Sequence, residues 1–212
     1  MRSDHLVAHA TLILLHIYCT NIHIMFLFPT AAGLYSLNAD TGKLLWTAKT
    51  PPFLPPPAAM GYVSAPAVMA GLAVAGCFDS HIYAVNASTG EHKWTVHTGV
   101  GGKMGGVGAG MAAVADGIDG LATFYVGDRM SEIGGLIQHA TFYAVDETGR
   151  VRWSSQIRGA GDYEATAIVA LGRVFVGCGD SNVHAFNATT GAALWAHRTM
   201  SGVLGSGTVI KM

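Results

Sequence analysis

Carboxylates can hold calcium or move protons, and Asp79, Asp128 and Asp180 are the residues of this chain best placed to do either. Asp79 and Asp180 each stand before a serine, in CFDS and CGDS, at one recurring turn position, so turn formation accounts for them. Asp128, Arg129 and Glu132 share the segment GDRMSEIGG and form the candidate binding loop; its competing reading is a solvated loop with a local Asp–Arg or Arg–Glu contact. Cys77 and Cys178 occupy equivalent registers in AGCFDS and VGCGDS, too far apart for a disulfide if the repeats are separate blades, and are expected to be small buried residues. No cysteine has another cysteine or a histidine at ligand spacing, and the ten histidines show no paired spacing on an expected element. Gly99–Gly110 is rich in glycine, but Met104 follows Lys103 where a phosphate loop needs Ser or Thr. It reads as a connection. No catalytic residue and no metal site emerges.

Composition narrows the classes. The chain has 212 residues, 28 of them Gly, with 12% charged and 50% hydrophobic residues and a net charge of −1. Nucleic-acid binding through a concentrated basic surface is excluded by that balance. Low charge with high glycine also argues against a coiled coil and against a disordered chain. Three cysteines cannot build a disulfide-stapled scaffold.

The elements that must carry these residues are repeats. Four segments align on Thr-Gly followed four residues later by Trp: LYSLNADTGKLLW, IYAVNASTGEHKW, FYAVDETGRVRW and VHAFNATTGAALW. Their tryptophans, Trp46, Trp94, Trp153 and Trp195, are 48, 59 and 42 residues apart and are the only four in the chain. Within Ile82–Asn86 the alternation is that of a half-buried strand. Asn86 to Gly90 supplies turn formers, and a return strand begins near Lys93. Upstream, GLAVAG and GRVFVG read as apolar strands ending in glycine. Each unit therefore holds about four short strands with no helical stretch, the size of a propeller blade.

The pattern Ala-x-Asp/Asn-x-x-Thr-Gly-x-x-x-Trp resembles the tryptophan-docking repeat of the PQQ-like (pyrroloquinoline quinone) β-propellers, which include quinoprotein alcohol dehydrogenases and BamB-type scaffolds. It matches at Ala84, Asn86, Thr89, Gly90 and Trp94, and again at Ala185, Asn187, Thr190, Gly191 and Trp195. A shorter copy has Ala144, Asp146, Thr148, Gly149 and Trp153, and the first has Ser36 in place of Ala, then Asn38, Thr41, Gly42 and Trp46. The resemblance implies an all-β propeller of four-stranded antiparallel blades in which each Trp packs between neighbours. About four to five blades are present over residues 23–212, with Met25–Phe28 aligned to Val174–Gly177 as a second strand and 202–212 opening a further blade. An incomplete ring is expected, its missing blades outside the chain or supplied by a partner.

Residues 1–22 carry no repeat, and from Asp4 to Asp40 there is no intervening charge. This run reads as a signal or anchor, a buried strand, or a non-native start; a targeting role would place the protein outside the cytoplasm or at a membrane. The expected function is a non-catalytic platform for a protein or ligand. The alternatives are a fragment of a PQQ-dependent alcohol or sugar dehydrogenase, which alone would require PQQ and calcium, and a regulatory propeller of a larger enzyme. The family's dehydrogenases carry an adjacent Cys-Cys pair, absent from this chain. Asn86-Ala87-Ser88 and Asn187-Ala188-Thr189 match glycosylation sequons but coincide with the repeat's own turn.

Overall fold

The computed structural model describes residues 25–30, 33–49, 64–98, 106–115, 117–129, 132–133, 136–137, 140–157 and 162–210. The expectations for 1–22 lie outside these residues. Blade one comprises β1 (Met25–Thr30), β2 (Gly33–Asn38) and β3 (Leu44–Lys49). Blade two comprises β4 (Ala67–Met69), β5 (Leu72–Cys77), β6 (His81–Asn86) and β7 (His92–His97). Blade three comprises β8 (Ala112–Val114), β9 (Thr123–Gly127), β12 (Ala140–Asp146) and β13 (Val151–Ile157), with β10 (Glu132–Ile133) and β11 (Leu136–Ile137) paired as a small hairpin between β9 and β12. Blade four comprises β14 (Ile168–Ala170), β15 (Arg173–Cys178), β16 (Asn182–Asn187) and β17 (Ala193–Arg198). Every ladder is antiparallel, and strands run in sequence order across each blade. The fold is an incomplete β-propeller of about four blades.

Turn chemistry explains the repeat's polar letters. Asn86 Oδ1 accepts the backbone N–H groups of Ser88 and Thr89, and Asn38 and Asn187 do the same at their turns. Asp146 plays this part in the shorter copy, accepting from the Thr148 and Arg150 N–H groups. A short Asn or Asp side chain satisfies turn donors that the strands leave over. In every blade the ladder also slips by one residue just before the tryptophan, so that Ala84 faces Trp94, Ala144 faces Trp153 and Ala185 faces Trp195. Such a bulge re-aims the side chain that follows it.

The residue opposite each indole is buried and small, which explains the alanine. Ser36 takes that place in blade one, fully buried, and its hydroxyl has no hydrogen-bond partner. An unmatched buried hydroxyl costs about 1–3 kcal/mol. Ser36→Ala should therefore raise the unfolding free energy by about 1 kcal/mol, read as a higher denaturant midpoint. An unchanged or lower midpoint would mean the hydroxyl is satisfied.

One expectation needs correction. By pairing, Phe26 rather than Met25 matches Val174, because two residues separate β1 from β2 whereas three separate β15 from β16. Residues 202–210, expected to open a further blade, pair with no ladder among the described residues. They follow the path by which the chain enters each blade. The Val203 N–H donates to Cys178 O just as the Val107 N–H donates to Cys77 O and the Tyr163 N–H to Asp128 O. Room for that crossing comes from Gly76, Gly127 and Gly177, where a Cβ would lie within 2.4 Å of Val107, Tyr163 or Val203.

Candidate functional site

The docking motif joins blades rather than closing within one. Trp46 Nε1–H donates to Ala87 O at 3.2 Å, Trp94 Nε1–H to Glu147 O at 2.9 Å and Trp153 Nε1–H to Ala188 O at 2.9 Å. Each indole thus reaches the Thr-Gly turn of the next blade. It lies on the turn's glycine: a Cβ on Gly90, Gly149 or Gly191 would stand 2.5, 2.9 or 2.5 Å from the ring. These glycines also hold positive φ, between 71° and 86°, so both the contact and the backbone favour Gly. Between blades three and four the interface is aromatic. Trp153 packs on Tyr125, Phe142 and Phe186, and Phe142 stacks on Phe186 at 5.8 Å. Trp195 meets no further blade among the described residues and is 47% exposed.

At the candidate loop, the structure separates the three residues named together. Asp128 directly follows β9, at the position that Cys77 and Cys178 occupy in their blades, and it is buried. Its Oδ1 accepts the Thr141 N–H at 2.5 Å, and Tyr143 Oη lies 3.1 Å from Oδ2. Burial is the main influence on this carboxyl, pushing it up to about 7 despite those donors. Tyr143 has one hydroxyl proton and also meets Thr98 O, at 2.5 Å. With that proton on Thr98 O, a protonated Asp128 can donate to Tyr143 Oη.

Arg129 turns away from Asp128. Its guanidinium lies 3.3 Å from Asp162 and 3.4 Å from Glu164, and 5.6 Å over the Phe78 ring. Its N–H donates to Gly106 O at 2.8 Å. One arginine therefore ties the turn of blade two to the two connections flanking blade three. Glu132 lies in β10, paired with Ile137. Sequence reasoning missed Phe78, Asp162 and Glu164, since they lie in other repeats and nothing local marks them as partners of Arg129.

Asp79 and Asp180 serve their own hairpins. Asp79 accepts the His81 N–H at 3.0 Å and the Tyr83 hydroxyl at 2.5 Å. Asp180 accepts the Asn182 N–H at 2.9 Å and pairs with His184 Nε2 at 2.8 Å. Burial opposes ionisation of Asp180, but His184 and Asn182 outweigh it and hold the carboxyl below the usual range. The hairpin brings Cys178, Asp180 and His184 within 4.8 Å of one another, a grouping the linear spacing hid. Blade two has Tyr83 where blade four has His184, so the recurring feature is a donor for the turn aspartate. Burial pushes the Cys77 and Cys178 thiols up to about 12, so both are protonated at neutral pH.

The innermost strands border a cavity of about 790 Å³, lined by Pro66–Met69, Met111–Val114, Thr166–Val169 and Gly207–Val209 with Leu27 and Ala87. No charged side chain lines it; its polar side chains are those of Thr166 and Thr208. Pyrroloquinoline quinone is a polycarboxylate, held together with calcium in the dehydrogenases of the family resemblance. Side chains without charge offer such a group no ion pairs and the calcium no carboxylate. Among the described residues the cavity does not fit it.

A family model described as outer membrane protein assembly factor BamB matches residues 23–209. No curated protein gives a significant sequence match. Among solved structures, BamB from Moraxella catarrhalis is similar at 16% identity with a TM-score of 0.63, over 86% of this chain and 51% of that one. A quinohemoprotein alcohol dehydrogenase from Comamonas testosteroni is similar at 14% identity and a TM-score of 0.63, over 84% and 34%. A europium-containing methanol dehydrogenase is similar at 16% identity and 0.59, over 82% and 41%. The chain spans about a third to a half of the length of these structures.

Proposed function

The chain belongs to the family of outer membrane protein assembly factor BamB, among the PQQ-like β-propellers, and on that premise we propose that it is a non-catalytic scaffold that holds a protein partner on its blade edges and loops. The observation that carries this reading is the cavity between the innermost strands, whose walls present methyl, methylene and thioether groups and two threonine hydroxyls. The lining side chains include no carboxylate, imidazole or ammonium group that could act as acid, base or charged cation ligand. Support also comes from the carboxylates: Asp79 and Asp180 accept from donors of their own hairpins, and Asp128 is engaged by the Thr141 N–H and the Tyr143 hydroxyl of its own blade. Arg129, Asp162 and Glu164 join the two connections flanking blade three and form a partly exposed polar cluster at which a partner can be read by charge.

The reading separates cleanly from a dehydrogenase. Purified protein titrated with pyrroloquinoline quinone and Ca²⁺ should leave the quinone absorbance unchanged and should not support dye-linked oxidation of alcohols or sugars. A saturable spectral change accompanied by turnover would overturn the scaffold assignment.

A further inference from the structure

The turn between β15 and β16 gathers three groups that ligate borderline-soft cations. Cys178 closes β15, Asp180 lies in the turn and His184 stands third in β16. The Cys178 sulfur, an Asp180 oxygen and a His184 ring nitrogen lie within 4.8 Å of one another, and no other trio of described Cys, His, Asp and Glu residues does so. Around a tetrahedral zinc ion, bonds of about 2.0–2.3 Å set such atoms about 3.3–3.6 Å apart, so closing the remaining gap takes about 1 Å of side-chain movement. The carboxylate is already divided between two tasks. Oδ1 accepts the Asn182 N–H and fixes the turn, while Oδ2 faces His184 Nε2 at 2.8 Å. The Asp180 and His184 side chains are each 14% exposed, which gives an ion a path to the buried sulfur.

A second observation points to the same place. Tyr163 is fully buried, and its hydroxyl has no hydrogen-bond partner among the described residues. Such a group is costly to leave unmatched. Its ring meets that of His184 edge-on at 6.5 Å. Burial, and then the negative charges of Cys178, Asp180 and Asp128, push the hydroxyl well above the ordinary tyrosine range. It therefore keeps its proton, as an unused donor beside the trio. The segment that carries it is tied to both blades: the Tyr163 N–H donates to Asp128 O of blade three, and the Gly179 N–H of blade four donates to Asp162 O. Blade two offers the natural comparison, because it has Cys77 and Asp79 at the same places but Tyr83 instead of the imidazole.

We propose that Cys178 Sγ, Asp180 Oδ2 and His184 Nε2 bind one zinc-type divalent ion, with water in the fourth position and the Tyr163 hydroxyl as a donor to the metal-bound thiolate. Thiolate and imidazole suit zinc and its substitute cobalt, whereas calcium and magnesium take oxygen ligands. One thiolate and one carboxylate balance the two positive charges, so the buried site carries no net charge. As the metal–sulfur bond forms, the thiol proton leaves to solvent and the imidazole keeps a single proton on Nδ1. The ion would pin the β15–β16 turn, with the Tyr163 hydroxyl fixing the thiolate from the connection leaving blade three. None of the three ligands lines the cavity between the innermost strands. The inference therefore stands whether or not the chain is a scaffold.

The test is titration of the full, reduced chain with Co²⁺, followed by absorbance. One ion per chain should bind, with a thiolate-to-cobalt charge-transfer band in the near ultraviolet and the visible bands of a tetrahedral ion, and Zn²⁺ should abolish both. Cys178→Ser should remove the charge-transfer band. His184→Gln keeps a donor for Asp180 and should weaken binding at least about 100-fold, since even losing an outer partner costs about 10–100-fold. Tyr163→Phe should keep the bands and bind about 10-fold more weakly. Cys77→Ser should bind as the parent does. Circular dichroism confirms that each variant is folded. The proposal is overturned if the parent shows no charge-transfer band, if the band survives Cys178→Ser or is lost in Cys77→Ser, or if His184→Gln binds as tightly as the parent.

Discussion

Trp153→Ala should lower the unfolding free energy by about 3–5 kcal/mol, the range for emptying a buried aromatic site. Trp153 is 8% exposed and packs on Tyr125 and Phe142 of its own blade and on Phe186 of blade four. Its Nε1–H also donates to Ala188 O, which the Tyr125 hydroxyl approaches at 3.2 Å. A shift of that size is a large part of the stability of a typical domain. Trp153→Phe separates the two contributions, since it keeps an aromatic ring and loses the donor; it should cost about 1–2 kcal/mol, much of it lost packing volume. Denaturant titration with an unchanged slope measures both. At Trp195, which has about half its surface in water, the same change to Ala should cost less than about 1.5 kcal/mol. A Trp153→Ala effect below about 1 kcal/mol would mean that the junction does not hold the blades together.

Asp128 sets the second large effect, and its sign follows from proton binding. Burial raises its carboxyl from the usual 3.8 to about 7. Between these values the folded protein keeps a proton that the unfolded chain has released, so stability falls as pH rises from about 4 to about 7. Below that window the contribution is fully present, and above it the loss is complete. The difference between the two values converts to about 4 kcal/mol. Asp128→Asn should remove this slope. The amide oxygen still accepts the Thr141 N–H, and the amide nitrogen can donate to Tyr143 Oη as the protonated acid does. The variant should therefore match the parent near pH 4 and be more stable than it by a few kcal/mol at pH 8, read as melting temperature across pH. A parent whose stability rises over this range would show that Asp128 is ionised in the folded protein.

The same residue shows where the linear pattern stops being informative. As part of GDRMSEIGG, Asp128 looks like a loop carboxylate beside Arg129, available to a ligand. In the folded chain it occupies the cysteine register of its blade, because the inserted hairpin of β10 and β11 begins after it rather than around it. Arg129 meanwhile answers to Asp162 and Glu164, more than thirty residues away. Neither fact could be read from spacing, since insertions move a residue's place in the blade without changing its neighbours in the chain. The Gly99–Gly110 segment behaves likewise: its described part, 106–110, is a largely buried entry path into blade three, and Val107 fills the space left beside Gly76.

What the sequence by itself determined is local and periodic. The Asn/Asp-x-x-Thr-Gly turn works through hydrogen bonds spanning two or three residues, and strand alternation depends on the chain's own period. Each repeat therefore spells its hairpin, and four in-phase copies spell a propeller. Tertiary structure alone decided which tryptophans are covered. Trp46, Trp94 and Trp153 reach acceptors 41, 53 and 35 residues away, while Trp195, with the same letters around it, reaches none among the described residues. Burial of an indole is a property of two blades, and only one of them is written in any repeat.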